Sequence, residues 1–379
     1  MANNNKHTGP NVPALRFPEF SGEWSKDCLN EFLAVQPARN TQGIYSKDDV
    51  LSVSGDYGVV NQIQLLGRSF AGKDVSNYHI VRTNDIVYTK SPLKEFPYGI
   101  VKTNQGTAGI VSTLYAVYSA KSNTDPKFVE YYFSSKERTN KYFKPIVRIG
   151  AKHDMKIGNE EVLRNIVVFP SKQEQNKIQE FLRIIDERIA TQSKIIEEQE
   201  TLLKSLADSL ISSQVANMAL NDSVVARSST MKESELENSG PFPVFGASGL
   251  CGYSNEALEE SDSILVTKDG SGVGTCQYAT GAHSFLGTLC SLTAKEGTYL
   301  PYVYYALLNF NFASFKTGLA IPHIYFKDYG NAIIYCPSYD EQVRIASGLE
   351  KIEAKIKSEK EILKQYQLQK EYLLSRMFI

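Results

Sequence analysis

The sequence predicts an α+β protein in which two mixed α/β globular domains are separated by two long antiparallel coiled-coil helices. Three observations predict this fold: a length of 379 residues, which exceeds one ordinary core; an internal repeat; and a heptad pattern in each copy of that repeat. The predicted segments are a first globular domain at 1–169, a first helix at 170–213, a second globular domain at 214–336 and a second helix at 337–379.

Composition places the chain among globular proteins. Hydrophobic residues make up 42% and charged residues 22%, which excludes a largely disordered or fibrous protein. The chain has no apolar run near the roughly 20 residues that a membrane helix needs, and its start, MANNNKHTGPNVP, lacks the apolar stretch of a signal peptide. We therefore expect a cytoplasmic protein without membrane contact. The 5 cysteines never form a C-x-x-C pair, so neither a disulfide framework nor a zinc ribbon is predicted.

The charge is unevenly distributed. The whole chain has 41 basic and 42 acidic residues, a net charge of -1, which excludes a simple basic coat for nucleic acid. Residues 1–169, however, carry 21 Lys and Arg against 16 Asp and Glu, whereas residues 214–336 carry 6 against 11. The first globular domain is therefore basic and the second is acidic.

The internal repeat is clearest in the two predicted helices. PSKQEQNKIQEF starts at Pro170 and PSYDEQVRIASG starts at Pro337, so the copies are offset by 167 residues. Alternating steps of four and three residues follow an apolar seam through both copies, and the seam becomes polar at Gln192 and Glu359, where a polar pair can fix the register. The predicted interface residues are Ile178, Leu182, Ile185, Ile189, Ile196, Leu203, Leu206, Ile345, Leu349, Ile352, Ile356, Leu363 and Leu373. The first seam is predicted to continue to Leu210. Because each stripe is too narrow for a globular core, we expect the helices to pair with each other.

The globular domains repeat more faintly. Asp85-Ile-Val-Tyr-Thr-Lys90 matches Asp262-Ser-Ile-Leu-Val-Thr-Lys268, and a proline-led apolar segment follows in both domains, in the same order but with different spacing. If the first helix leads from the first domain to the second, the second helix must run back. A duplicated unit of this kind has a pseudo-twofold internal repeat with antiparallel helices.

Catalytic motifs are not indicated. The run Gly270-Ser-Gly-Val-Gly274 lacks the Lys-Ser/Thr that ends a phosphate-binding loop, and we expect a tight turn there. The 5 histidines stand apart from H-E-x-x-H patterns, so no metal site is predicted. The triplet Glu353-Ala-Lys355 has a nuclease-like spacing but lies on a heptad helix, where a solvated charge pair is expected.

Polar loops recur at related points of the two domains. Arg, Lys, Gln and Ser side chains read base edges or bind phosphates, and glycine permits close backbone approach. Ordinary surface loops are the alternative interpretation. The candidate DNA-binding residues are Thr89, Lys90, Ser91, Gln105, Arg148, Lys152 and His153 in the first domain, and Thr267, Lys268, Asp269, Ser271, Lys316 and His323 in the second.

The chain resembles the specificity (S) subunit of type I restriction-modification enzymes. The resemblance rests on Leu15-Arg-Phe-Pro-Glu-Phe-x-Gly-x-Trp24, on PFPVFGASGLCGYSNE at 241–256, on ILVTKDGSGVGT at 264–275 and on the two P-S-x-x-E-Q-x-x-I helix starts. It implies that the globular domains are target-recognition domains, that each reads half of a bipartite site in double-stranded DNA, and that the helices are both spacer and docking surface.

The same resemblance implies the partners. Two methyltransferase (modification) subunits dock on the helices, and motor-nuclease (restriction) subunits join the complex. The S subunit itself has no catalysis and no cofactor, so S-adenosylmethionine, ATP and Mg belong to the partners. In the acidic second domain, DNA contact must come from a local face. The alternative function is a two-headed protein-protein scaffold that binds no nucleic acid.

Overall fold

The structure is a computed structural model that describes residues 10–379 apart from 94, 150–154 and 319–320. The chain forms two compact units, which are described separately below. The first contains the described residues up to Ala190 together with Lys364–Ile379, and the second contains Thr191–Leu363. Each long helix is therefore divided between the units. The domain limits inferred from the repeat describe sequence segments and stay a prediction.

The first unit is built around an antiparallel sheet with the strand order β2-β9-β6-β7, beside the two-stranded pairs β1-β12, β3-β4, β5-β8 and β10-β11. Its strands are β1 Ser25–Cys28, β2 Leu33–Val35, β3 Leu51–Ser54, β4 Gly58–Asn61, β5 His79–Val81, β6 Ile86–Thr89, β7 Val101–Thr103, β8 Gly109–Val111, β9 Tyr115–Ala120, β10 Arg148–Ile149, β11 Met155–Lys156 and β12 Ile166–Phe169. Its helices are α1 Gln62–Leu66, α2 Pro126–Phe133, α3 Lys136–Phe143, α4 Asn159–Val162 and the first part of α5 Lys172–Ala207.

The second unit repeats the plan with the sheet β14-β20-β17-β18, the sheet β16-β15-β19 and the pair β13-β21. Its strands are β13 Met218–Ala219, β14 Val224–Ser228, β15 Phe242–Gly246, β16 Gly249–Ser254, β17 Ser263–Thr267, β18 Cys276–Ala279, β19 Ser284–Phe285, β20 Leu289–Ala294 and β21 Ile333–Ile334. Its helices are α6 Leu220–Ser223, α7 Leu300–Leu308, α8 Phe326–Tyr329 and most of α9 Tyr339–Arg376.

The predicted α+β architecture is confirmed, and the repeated segments occupy equivalent places. The strands β6 and β17 come from the matched Asp-to-Lys segments, and every residue of both strands is buried. Strands covered on both faces are apolar without alternation, which explains the continuous runs Ile-Val-Tyr and Ile-Leu-Val. The proline-led segments form α2 and α7, each with proline in its first turn, where a missing N–H costs nothing.

The repeated glutamine of the E-Q motif fastens the long helix to the short helix in each unit. Gln175 accepts from the backbone N–H of Asp125, the residue before α2, and donates to the carbonyl oxygens of Asn123 and Pro170, at 2.9, 3.2 and 2.9 Å. Gln342 accepts from the N–H of Tyr299, the residue before α7, at 2.8 Å, and donates to the carbonyl of Pro337 at 2.9 Å. Both side chains are almost fully buried, so these bonds replace all contact with water.

A tyrosine–acid pair provides a second fastening. Tyr131 of α2 donates to Asp186 of α5, and Tyr305 of α7 donates to Glu353 of α9, both at 2.7 Å. Asp186 and Glu353 are the same position in the two copies of the repeat. The expectation of a solvated charge pair at Glu353 is therefore wrong, because Tyr304 also donates to this carboxylate, at 3.2 Å.

The two long helices contact each other within each unit, as predicted. In the first unit, Lys370 of α9 forms an ion pair with Asp186 of α5 at 2.6 Å. In the second unit, Lys360 of α9 pairs with Glu200 of α5 at 2.6 Å. The polar seam positions meet directly there: the side-chain amide of Gln192 donates to the carboxylate of Glu359 at 2.7 Å.

The seam residues lie in two hydrophobic clusters. Ile178, Leu182, Ile185, Ile189 and Leu373 belong to the core of the first unit. The second unit contains the other eight, namely Ile196, Leu203, Leu206, Ile345, Leu349, Ile352, Ile356 and Leu363. These clusters also include globular residues such as Phe128 and Tyr302, so the expectation that the stripes are too narrow for a globular core is wrong. The beginning of each helix packs against the aromatic face of its short helix.

The end of α5 departs from the predicted seam. Residues Asp208–Ser212 form a single turn of π-helix. A π turn adds one residue to the helical repeat and so rotates the face that follows. Leu210, predicted in the seam, is 41% exposed, and Ile211 is buried in its place.

The N-terminal motif Leu15–Trp24 contacts Glu174, the residue before the buried Gln175. The guanidinium of Arg16 donates twice to the carboxylate of Glu174, both at 2.7 Å, and the indole N–H of Trp24 donates to it at 3.2 Å. Glu174 is 2% exposed, and such a bidentate pair suits a buried site. In the second unit the matching Glu341 bonds instead to Arg344, three residues along the same helix.

Across the described residues, none of the helices has the length and apolarity to cross a membrane.

We predict that replacing either buried glutamine will destabilise its unit. Gln175→Ala and Gln342→Ala each leave a buried N–H and buried carbonyl oxygens without partners, which costs about 1–3 kcal/mol. Gln173→Ala is the matched control, since Gln173 is exposed in the same first turn of α5, and such surface changes stay within about 0.5 kcal/mol. Denaturant unfolding measures all three, and glutamine variants as stable as the control would contradict the interpretation.

Candidate nucleic-acid interface

A lysine follows the central buried strand in both units. Lys90 comes directly after β6 and Lys268 directly after β17. Each strand lies between two others in its sheet, so the chain leaves the core at these lysines. A loop that follows a rigid strand is a well-fixed place for a contact residue.

In the first unit, Lys90 is held against the start of α4. Its ammonium donates to the side-chain oxygen of Asn159 at 2.5 Å. Partial burial lowers the pKa of Lys90. Burial, followed by the nearby charges of Arg39 and Lys90, lowers the pKa of His79 and favours the neutral imidazole. Arg39 and Lys90 therefore form a local positive region around His79.

The hairpin β10-β11 carries the next candidates. Arg148 is exposed and pairs in register with Lys156 across the two strands. Lys152 and His153 lie outside the described residues. Ser91 is half-buried beside Lys90. Arg148 therefore lies at the base of this strand pair. A few residues further along the chain is Asn159, which binds Lys90.

Gln105 does not join this group. The antiparallel register pairs Ile86 with Thr103 and Tyr88 with Val101, so Lys90 and Gln105 leave the two strands at opposite ends. Gln105 is exposed next to the buried Asn104, whose side-chain amide donates to the backbone carbonyls of Thr107 and Arg82. The structure therefore does not bring these two candidate residues together.

Two candidate threonines have structural roles. Thr89 is 4% exposed, and its hydroxyl accepts from the N–H of Ile100 at 2.9 Å. Thr267 has no exposed surface and shares a hydrogen bond with Thr275 at 2.9 Å. Both residues lie at the ends of their strands, and their side chains are buried within the protein.

In the second unit, two distant sequence segments meet. The loop after β17 forms a bridge with the segment ending at His323: Ile324 donates to the carbonyl of Lys268 at 3.0 Å, and Gly270 donates to the carbonyl of Pro322 at 3.1 Å. The side chains of Lys268, Asp269 and His323 lie together there. Ser271 and Lys316 are exposed beside this bridge in the chain.

The glycine run after Asp269 forms the expected tight turn. Gly270 and Gly274 have φ values of +95° and +92°, a region that favours glycine. A Cβ on Gly274 would lie 2.8 Å from the Cβ of Phe312, so only glycine fits against that ring. The run therefore shapes the loop that carries Lys268 and Asp269.

Sequence reasoning missed Arg39 and Asn159, which contribute to the region around Lys90. Neither lies in a motif, and both approach it only through the fold. The described part of the chain contains no cluster of three or more His, Cys, Asp or Glu side chains able to hold a metal ion.

One family model matches part of the chain. Residues 214–367 match the type I restriction modification DNA specificity domain. For those residues, this match agrees with the resemblance inferred from the sequence. No curated protein sequence matches the chain significantly.

Solved structures extend the similarity of fold to nearly the whole chain. The type I restriction-modification S subunit from M. genitalium is 18% identical, with a TM-score of 0.63, over 97% of this chain and 99% of that chain. A structure described for the complex assembly and conformational transition of the type I R-M system is 14% identical, with a TM-score of 0.56, over 94% of this chain and 97% of that chain. The chain therefore has the fold of these S subunits.

Proposed function

We propose that each unit reads one half of a bipartite site in double-stranded DNA. The observation that carries this proposal is the repeated arrangement of a lysine after a buried central strand, Lys90 or Lys268, joined to a later polar segment, Asn159 or His323. The strand and lysine are the same in both units but the neighbouring loop side chains differ, which suits the recognition of two different half-sequences. The family match of residues 214–367 to a DNA specificity domain supports this reading for the second unit.

Within this proposal, the exposed cations contact phosphates. Arg148 in the first unit and Lys316 in the second are exposed at the bases of their loops, and neither has an ion pair among those described. Lys90 and Lys268 are already hydrogen-bonded to protein, which restricts their orientation and suits them to bases or to fixed phosphates. Lys152 and His153 remain candidates by sequence.

We further propose that the long helices set the unread gap between the half-sites. Both helices continue from one unit into the other: α5 contributes residues to both sides of position 190, and α9 to both sides of position 363. A helix resists bending, and a paired helix resists it more. The polar contact between Gln192 and Glu359 supports a single register for the pair.

The helices also suit the docking of other subunits in the proposed complex. Two copies of the repeat offer two related surfaces, which suits two methyltransferase subunits, with restriction subunits joining them. We place S-adenosylmethionine, ATP and Mg in those partners, and the complex in the cytoplasm with its DNA. A structure with a similar fold is described for assembly of the type I system.

The subunit ratio is a direct prediction of this arrangement. Native mass spectrometry of the chain mixed with excess methyltransferase subunit should give two methyltransferase copies for each copy of this chain. A complex that saturates at one copy would contradict the two-surface proposal.

The spacer role predicts the result of a paired insertion. One heptad placed between Gln192 and Ser193, and another between Ser358 and Glu359, leaves Gln192 opposite Glu359 and keeps the two antiparallel halves in register. Each heptad adds about 10 Å, or about 3 base pairs of duplex. Methylation mapping in cells with the complete system should show the same half-sequences separated by a longer gap.

Two comparisons make this test decisive. The unmodified chain gives the reference half-sequences and gap. An insertion in α5 alone puts the helices out of register and should abolish methylation rather than lengthen the gap. Altered half-sequences with an unchanged gap in the paired variant would contradict the spacer role.

A further inference from the structure

Both carboxylate oxygens of Asp269 are occupied by side chains of the protein. One oxygen lies 2.7 Å from the Nδ1 of His323, and the other lies 3.0 Å from the ammonium of Lys268. Partial burial alone would raise the pKa of Asp269, but the hydrogen bonds from His323 and Lys268 outweigh it and lower that pKa. The carboxylate is therefore ionised at neutral pH, and each of its oxygens already accepts one hydrogen bond within the protein.

The backbone of His323 is fixed on two sides. Its N–H and carbonyl both pair with Thr317, at 2.8 and 2.9 Å. On the other side, its neighbours Pro322 and Ile324 bond to the loop that carries Asp269. The imidazole remains 36% exposed. His323 thus has a backbone fixed on two sides, a ring whose Nδ1 edge lies on Asp269, and a side chain that is partly exposed.

The contact with Asp269 determines what the exposed edge can do. A carboxylate only accepts hydrogen bonds, so Nδ1 must carry the proton, and in the neutral imidazole Nε2 is then an acceptor. In the major groove, the donors that differ between bases are the exocyclic amino groups of adenine and cytosine. A phosphate, which is an acceptor, is a poor partner for this nitrogen.

We propose that His323 reads an adenine or cytosine amino group in the half-site of the second unit, and that Asp269 is a positioning residue that does not touch DNA. This inference rests on the proposed function. It revises the role of Asp269 from contact to support. The first unit does not repeat the Asp269–His323 pair. Ser91 stands where the second unit has Asp269, and Lys156 stands where it has His323.

The test is a base-preference profile. Complexes purified from cells expressing the complete system select from duplexes in which every position of both half-sites is varied. His323→Ala should lower discrimination at one position of one half-site by about tenfold, equivalent to ~1.4 kcal/mol, and leave the other half-site unchanged. His323→Gln, which keeps a side-chain acceptor, should retain part of the preference and serves if the alanine variant folds poorly.

Asp269→Asn supplies the second arm. An amide can donate to Nδ1 and so move the proton to Nε2, which should shift the preference at that position toward guanine or thymine. In a His323→Ala background the same change should have no further effect on preference. Asp328→Asn, which removes one exposed negative charge from the same unit, controls for charge alone and should leave the profile unchanged.

Several results would overturn the inference. They are an unchanged profile in His323→Ala and His323→Gln, a uniform loss of affinity without a change of preference, or an Asp269→Asn effect that persists without His323. If the unmodified complex selected fewer than two half-sequences, the proposed function itself would fail. That outcome is separate from a failure of His323 alone.

Discussion

The fold of each unit depends on one buried glutamine. Gln175 and Gln342 connect the start of a long helix to the residue before a short helix, using both ends of the side-chain amide. A buried amide must satisfy its donors and its acceptor, so the two helices can pack in few other ways without losing hydrogen bonds. The tyrosine–acid pairs at Asp186 and Glu353 fix the rotation of the same helices. Orientation of each sheet relative to its helix follows from these contacts.

Because these contacts fix the helices and sheets of each unit, the loops can differ between the two units. The lysine after the central strand is common to both units, but its surroundings are not: Asn159, Arg39 and His79 lie around Lys90, whereas Asp269 and His323 lie beside Lys268. Because the local surroundings of the two lysines differ, a basic first domain and an acidic second domain can share one fold and still present different side chains. Local geometry, rather than net charge, determines what each unit presents.

The sequence predicted the long helices and the repeated strands, because heptads and matched segments are local patterns. It failed where a residue's role depends on its position in the fold. The π turn that exchanges Leu210 for Ile211 leaves no mark in the heptad pattern. Gln105 was grouped with Lys90 because both are polar loop residues, yet strand register separates them. The contact between Asp269 and His323 joins positions 54 residues apart, which no spacing rule anticipates.

The central claim is that different units read different half-sites, and site-directed photo-crosslinking tests it most directly. A photoreactive base is placed in one half-site at a time, and the linked peptides of the complete complex are identified by mass spectrometry. We expect one half-site to link to peptides containing Lys90 or Arg148, and the other to peptides containing Lys268 or His323. Linkage of both half-sites to the same unit would contradict the account.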